Sequence, residues 1–199
     1  MCQLLGMNCN VPTDICFSFE GFHARGGLTD HHRDGFGVAF FEGQGCRVFL
    51  DSKSTIESPV ADLVRRYPIH SKNVIAHIRK ATQGKVELQN CHPFQRELWG
   101  RYWIFAHNGN LENFQPEGLE FFSPVGQTDS ERAFCYLLDW LRKAFPQGHP
   151  EPKAVYAFGH PFIVVGGRER SPPPGPSSEG PWGPSGVGCP TGSGEARYR

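Results

Sequence analysis

A change in composition near its C-terminal end limits how much of this 199-residue chain can fold. From Gly166 to Arg199 glycine, proline, serine and arginine predominate, and such a segment cannot bury enough apolar surface to offset its ordering entropy. Residues 166–199 are therefore predicted to be a disordered tail, and their composition resembles translation in a shifted reading frame. Residues 1–152 are predicted to form the folded part, and their number is enough for one domain. Residues 153–165 are a candidate last strand.

Within the folding part, apolar patterns and turn residues predict alternating strands and helices. The predicted elements are a strand at Gln3–Met7, a helix at Pro12–Arg25, a hairpin of Gly37–Phe41 and Arg47–Leu50, a helix at Ser58–Tyr67, strands at Asn73–Ala81 and Arg101–His107, and a helix at Asp129–Phe145. The last helix begins with a capping box, in which Thr128 and Glu131 bind each other's backbone. This mixed order favours an α+β fold of antiparallel sheets covered by helices.

Charge and cysteine content exclude several classes of function. Twenty basic residues balance twenty acidic ones, whereas binding to nucleic acid or a membrane surface needs a basic excess, so neither partner is expected. No apolar run reaches the roughly 20 residues that cross a bilayer. No secretory signal is visible at the amino terminus, which makes the cytoplasm the expected location. Seven cysteines without a C-x-x-C pair argue against a disulfide framework and a structural zinc site.

Cys2 follows the initiator methionine, and this position suggests a chemical role. A small second residue favours removal of Met1, which would leave Cys2 with a free α-amine. That amine has a reference pKa of about 7.7–8.0 and could accept the proton of the thiol, directly or through a water. One residue would then be both nucleophile and base. On position alone, a cysteine without function is the simpler interpretation.

Three further positions carry polar groups that suit one small substrate. Arg79 follows a predicted strand and could bind a carboxylate bidentately. The Asn108 amide and the Gly109 N–H could form an oxyanion hole, and Asp129 could receive an α-ammonium group. A surface ion pair explains the arginine alone, and a tight turn explains Asn108-Gly109 alone. Together with Cys2, however, these groups are the ones needed to hold free glutamine and cleave its side-chain amide.

The order of these motifs resembles that of a known family. The motifs are Met1-Cys2, Arg25-Gly26, Asp34-Gly35-x-Gly37, His77-x-Arg79-x-x-Thr82, His107-Asn108-Gly109 and Thr128-Asp129-Ser130-Glu131. Class II glutamine amidotransferases carry such motifs in this order, and the chain is similar in particular to their stand-alone bacterial YafJ-type members, in which no synthase is fused to the domain. The resemblance covers residues 1–152.

The resemblance implies both a fold and an activity. The fold is that of the N-terminal nucleophile hydrolases, an α-β-β-α sandwich of two antiparallel sheets between helical layers, here expected to be truncated at its C-terminal end. The activity is hydrolysis of glutamine to glutamate and ammonia through a γ-glutamyl thioester. By this resemblance Cys2 is nucleophile and base, and Asn108 and Gly109 form the oxyanion hole.

The same resemblance assigns the residues that bind the substrate. Arg79 holds the α-carboxylate with help from Thr82, Asp129 holds the α-ammonium group, and Arg25 is a supporting residue near the nucleophile. Lys80 stands where sugar-phosphate synthase relatives carry a tryptophan, so the cover of the pocket is expected to differ. Neither a metal nor an organic cofactor is implied.

Three alternatives remain open at this stage. The first is a hydrolase of the same fold that acts on γ-glutamyl amides or peptides; in either case a separate ammonia-accepting partner is unidentified. The second is a truncated, inactive remnant without enzymatic function. The third is a metal-binding module, for which the irregular spacing of the candidate ligands is unfavourable. Those ligands are His23, His31, His32, His77, His92 and His107.

Overall fold

The computed structural model of the chain describes residues 2–148 and 163–166. Its elements are strand β1 (Gln3–Thr13), helix α1 (Cys16–Ala24), strands β2 (Phe36–Glu42) and β3 (Gly45–Asp51), helix α2 (Pro59–Arg66), strands β4 (Ser71–Ile78), β5 (Phe94–Glu97) and β6 (Tyr102–Ala106), helix α3 (Asp129–Ala144) and strand β7 (Ile163–Gly166). The predicted order of strand, helix, hairpin, helix, two strands and helix is confirmed, and β5 is an addition to it.

The C-terminal predictions are only partly covered by the described residues. Strand β7 overlaps the end of the candidate strand at 153–165. The earlier part of that candidate, up to residue 162, lies outside the described residues, and so do residues 167–199 of the predicted tail.

Two antiparallel sheets form the centre of the fold. The first has the strand order β1-β4-β2-β3 and the second has the order β5-β6-β7. The β2–β3 connection is the predicted hairpin turn, with Gly43 at a φ of +59°, a conformation that glycine adopts at little cost. Among the described residues β1 is one edge of the first sheet, and it begins directly after Cys2.

Alternation along the strands sorts the buried side chains into three apolar layers. Phe36, Val38 and Phe40 of β2 face α1 and α2. The opposite face of the first sheet packs against the second sheet through small and branched residues, and the far face of the second sheet packs on α3. The layers are therefore α-β-β-α, as expected. The inter-sheet core comprises Ala39, Phe41, Ile75, Ile104 and Ala106.

Two element boundaries differ from the prediction by four residues or more. Strand β1 continues past Met7 to Thr13, which pairs with Ser71 of β4, so polar residues extend the strand beyond its apolar start. Helix α1 consequently begins at Cys16 rather than Pro12, and the side chain of Asp14 accepts a hydrogen bond from the Cys16 N–H.

The capping box of α3 forms only in part. The Thr128 hydroxyl accepts a hydrogen bond from the Glu131 N–H at 3.2 Å, as predicted. The Glu131 carboxylate does not return to Thr128. It accepts from the N–H groups of Val125 and Gly126 and pairs with Arg96 at 2.5 Å.

Three acidic residues of α3 anchor the long connection between β6 and α3, which contains no helix or strand. Asp129 binds the N–H of Leu111, and Glu131 binds the end of the connection as described above. Asp139 is 2% exposed and accepts from the N–H groups of Glu120 and Phe121 at 2.7 and 3.1 Å. Backbone donors that lack partners within a strand or helix are therefore satisfied by the helix.

Candidate active site

Cys2 lies where the start of β1 meets the end of β4. Gln3 pairs with Ile78, which puts Cys2 beside Arg79 and Lys80. The Lys80 N–H donates to the Cys2 Sγ at 3.3 Å, and the thiol lies 3.4 Å from the Lys80 carbonyl oxygen. Burial raises the pKa of the Cys2 thiol, and the Lys80 N–H offsets part of this. The thiol therefore needs a base to act as a nucleophile near neutral pH.

Arg79 is buried, and its guanidinium contacts the loop that follows it. One terminal nitrogen, Nη2, donates to the carbonyls of Gln83 and Gly84 at 2.7 and 3.1 Å. The other, Nη1, donates to the Lys85 carbonyl at 2.9 Å. The expected carboxylate-binding group is thus engaged by backbone carbonyls of its own loop in this structure. Thr82, on the same loop, is exposed.

The segment after β6 carries the two groups expected to form an oxyanion hole. The Asn108 Oδ1 is buried and has no hydrogen-bond partner among the described residues. Gly109 is exposed, and a Cβ at this position would lie 2.6 Å from the His107 Nε2, so a larger residue here would require the His107 ring to shift. His107 is in turn 3.1 Å from the Ser130 hydroxyl of α3.

Asp129 is the first residue of α3, and its carboxylate points back to the β6 segment. Its Oδ2 accepts from the Leu111 N–H at 2.6 Å, and its Oδ1 accepts from the Ser130 N–H at 2.8 Å. A helix amino terminus favours a negative charge. The Ser130 hydroxyl also donates to Oδ1 at 3.3 Å, and a carboxylate can accept about one further hydrogen bond after these three.

Hydrogen bonds connect these segments to one another. The Gln83 side chain donates to the Asn110 Oδ1 at 2.6 Å, which joins the loop after β4 to the segment after β6. The Lys85 N–H donates to the Gln127 Oε1 at 3.2 Å, which joins the same loop to the start of α3. Arg25 is exposed at the end of α1, and among the described residues its hydrogen bond to the site is the one to Gln3, whose Oε1 accepts from its Nη1 at 3.0 Å.

The sequence did not single out the residues that make these connections. Gln83 directly follows the motif that ends at Thr82, and Asn110 directly follows the motif that ends at Gly109. Nothing in the sequence shows that their side chains form a hydrogen bond. Asp34 belongs to a quoted motif without an assigned role, and its carboxylate accepts from the Ala81 N–H at 2.7 Å. Its place in the Asp34-Gly35-x-Gly37 motif is the feature of the sequence that could have identified Asp34.

No group of three or more His, Cys, Asp or Glu side chains within residues 2–148 and 163–166 is arranged to hold a metal ion. Of the histidines considered above, His77 and His92 are buried together between the sheets with ring centroids 4.3 Å apart. Burial lowers the pKa of His77 to about 3 and also lowers that of His92. None of the helices in the described part of the chain has the length and apolar character needed to cross a membrane.

The family model of the class II glutamine amidotransferases matches residues 1–160. The chain belongs to this family. A protein from Haemophilus influenzae whose name places it among the glutamine amidotransferases is 61% identical over 145 residues, 73% of this chain and 49% of that protein. YafJ of Escherichia coli, also named as a glutamine amidotransferase, is 53% identical over 158 residues, 79% of this chain and 62% of that protein.

A solved structure supports the fold of this amidotransferase. The crystal structure of a predicted glutamine amidotransferase from Pseudomonas aeruginosa aligns with a TM-score of 0.55 and 46% identity, covering 77% of this chain and 59% of that one. The α+β fold of the N-terminal nucleophile type is therefore confirmed. The amidotransferase chain spans about half to three fifths of the length of these relatives.

Proposed function

We propose that this class II amidotransferase hydrolyses glutamine to glutamate and ammonia, with Cys2 as the nucleophile. The observation that carries the proposal is the position of the Cys2 sulfur. It lies immediately before β1 and accepts a hydrogen bond from the N–H of Lys80, the residue that follows Arg79. Hydrogen bonds run from that loop to the segment after β6 and to the start of α3.

The chemistry proceeds by acyl transfer to sulfur. Removal of Met1 frees the α-amine of Cys2, which takes the proton of the thiol, a step made necessary by the raised pKa of that thiol. The thiolate attacks the side-chain amide carbon, and the S–C bond forms while the carbonyl oxygen becomes an oxyanion. The C–N bond then breaks, and ammonia leaves with the proton from the α-amine. Water hydrolyses the thioester to glutamate and restores the thiol.

The oxyanion would be stabilised by the segment after β6. The Asn108 amide and the Gly109 N–H are the proposed donors. The exposure of Gly109 leaves its N–H accessible to a substrate, and donors fixed in advance act on the charge that develops in the transition state. The His107–Ser130 contact supports the position of this segment on α3.

The amino-acid end of glutamine would be held by opposite charges. Arg79 and Thr82 are the proposed partners of the α-carboxylate, and Asp129 is the proposed partner of the α-ammonium group. Binding at Arg79 requires that carbonyls of the 83–85 loop move aside, because they now accept its terminal N–H groups. Arg25 is proposed to support the site indirectly, by holding Gln3 next to the nucleophile.

We propose that a separate, unidentified protein accepts the ammonia. The proposal rests on the similarity to stand-alone family members, in which no synthase is fused to the glutaminase domain. The leaving amine is also open, since a γ-glutamyl amide or peptide presents the same glutamyl end as glutamine.

Mass spectrometry and kinetics test the proposed nucleophile together. Cys2→Ala should reduce glutamine hydrolysis to background without changing the melting temperature, and protein whose intact mass includes Met1 should be equally inactive. Cys16→Ala is the matched control, because Cys16 is also a half-buried free thiol and should be dispensable. Normal turnover by protein that retains Met1, or by Cys2→Ala, would rule out the mechanism. Faster turnover of γ-glutamyl peptides than of glutamine would select the alternative substrate class.

A further inference from the structure

We propose that Asp34 is a positioning residue for Cys2: its carboxylate fixes the backbone of residues 79–81 so that the Lys80 N–H points at the Cys2 sulfur. The role rests on the proposed function, because it assumes that the reactive form of Cys2 is a thiolate. It adds to that function a residue outside the groups that would touch glutamine.

The geometry around Asp34 ties it to both sides of Lys80. The Asp34 N–H donates to the Arg79 carbonyl at 3.2 Å, and the Ala81 N–H donates to the Asp34 Oδ2 at 2.7 Å. The Arg79 N–H in turn donates to the Gly35 carbonyl at 2.8 Å. The peptide that carries the Lys80 N–H is therefore held on both sides by one short segment.

That peptide leaves β4 at the point where sheet pairing ends, so the sheet itself no longer fixes it. Strand β4 ends at Ile78, and the next backbone bonds of residues 79 and 81 go to Asp34 and Gly35. Gly35 has a φ of +108°, and a Cβ there would lie 2.6 Å from the Cys91 sulfur and 2.9 Å from the Asp51 carbonyl oxygen. Position 35, which follows Asp34 in this turn, is consequently restricted to glycine.

The charge and the hydrogen bonds of Asp34 act on the Cys2 thiolate in opposite directions. A negative charge near the sulfur disfavours the thiolate, whereas a well-placed N–H stabilises it. Among the described residues, the groups that act on the sulfur are the Lys80 N–H, the guanidinium of Arg79 and the carboxylate of Asp34. Substitutions that separate charge from hydrogen bonding therefore give opposite results, which a purely structural role does not.

The experiment measures the pH dependence of Cys2 alkylation by iodoacetamide, read by mass spectrometry of the N-terminal peptide. Asp34→Asn keeps an oxygen acceptor for the Ala81 N–H but removes the charge, so its alkylation midpoint should fall by about 0.3–1 pH unit. Asp34→Ala removes both, and the Lys80 N–H is no longer aimed at the sulfur. Its midpoint should lie about one unit above that of Asp34→Asn.

A control variant shows whether removal of a distant charge also shifts the alkylation midpoint. Asp62→Asn removes the same charge from a half-buried position on α2, which is not among the groups that act on the Cys2 thiol, and should leave the midpoint unchanged. Equal midpoints for folded Asp34→Asn and Asp34→Ala overturn the proposal. If Asp34→Ala does not fold, Asp34→Leu, which also lacks an acceptor for the Ala81 N–H, replaces it in this comparison. An Asp34→Asn midpoint at or above that of the wild type also overturns the proposal. Because alkylation needs no glutamine, a normal Asp34 effect in a protein without glutaminase turnover would refute the proposed function and retain this role.

Discussion

Asn108 and Asp129 would contact different parts of glutamine, and their substitutions should therefore change different kinetic constants. Asn108 would face the reacting carbonyl, so Asn108→Ala should lower kcat by roughly 10²–10³ with a smaller change in KM. Asp129 would contact a group that does not react, so Asp129→Asn should raise KM more than it lowers kcat. The asparagine retains an oxygen acceptor for the Leu111 N–H, which keeps the segment after β6 attached, and loses only the acceptor for Ser130 at the start of α3. Steady-state glutaminase kinetics check both.

Similar changes in KM and kcat for the Asn108 and Asp129 variants would contradict these roles. If both variants change KM and kcat in the same proportion, the two residues do not act at separate ends of the substrate. Glu117→Gln is a suitable control, because Glu117 is an exposed acidic residue of the same connection. It should leave both constants unchanged.

The sequence motifs single out individual positions as candidates for the site, but they do not show the contacts between those positions. The motifs identified Cys2, Arg79 and Asp129 because each supplies a particular chemical group. The contact of Asp34 with Ala81 joins residues 47 positions apart. Such a bond depends on sheet register, which no local pattern encodes. The engagement of Arg79 by its own loop was likewise not predicted.

Helix α3 anchors the connection that precedes it, and a substitution of Asp139 tests this role. Asp139→Asn replaces one carboxylate oxygen by an amide NH₂, which cannot accept from one of the two N–H groups that Asp139 now binds. Hydrogen bonds to a buried charge contribute about 1.5–3 kcal/mol. We expect a loss of about 1–3 kcal/mol in the free energy of unfolding, measured by urea titration.

The exposed Glu117 again provides the comparison for this stability measurement. Glu117→Gln should change the free energy of unfolding by less than about 0.5 kcal/mol, as ordinary surface substitutions do. A loss for Asp139→Asn no larger than that of Glu117→Gln would show that the connection holds itself in place.

The elements were predictable where local signals agree. Helix α3 has an apolar face and a Thr128 cap, and the β2–β3 hairpin has glycines in its turn. Strand β5 was missed because Phe94–Glu97 is short and largely polar, so its pairing with β6 defines it. The start of α1 was predicted four residues early, because pairing of Thr13 with β4 extends β1 at the expense of the helix.

At the scale of the whole molecule, the buried pair His77 and His92 makes stability depend on pH. Burial lowers both pKa values in the folded protein, that of His77 to about 3, whereas an unfolded histidine titrates near 6.5. Below pH 6.5 the unfolded chain binds protons that the folded chain does not, so stability falls with falling pH. Each histidine should cost about 1.4 kcal/mol between pH 7.5 and 5.5. Urea unfolding at the two pH values measures this loss.

A pair of variants isolates the histidine contribution. His77→Leu removes one titrating group and should reduce the pH-dependent loss by about half, whatever its effect on absolute stability. His70→Gln changes an exposed histidine and should not alter the pH dependence. An unchanged pH dependence in His77→Leu would place the responsible groups elsewhere.

The arrangement of the whole molecule was predictable only through the resemblance. Alternating strands and helices indicated antiparallel sheets covered by helices, but not which face of each strand meets which layer. The four layers follow from pairing β2 with β4 and from small residues, such as Ala39 and Ala106, that let the two sheets approach. These pairings join distant parts of the chain and are decided by packing.

The carbonyls that surround Arg79 make the 83–85 loop an internal competitor for any carboxylate. A ligand that needs this guanidinium binds only the fraction of molecules in which the loop has released it, and its measured affinity is lowered by that fraction. Substitutions at Gln83, Gly84 or Lys85 thus alter affinity without touching the ligand. Electrophiles that lack a carboxylate escape the competition, which separates reagents that report on the thiol from reagents that report on the loop.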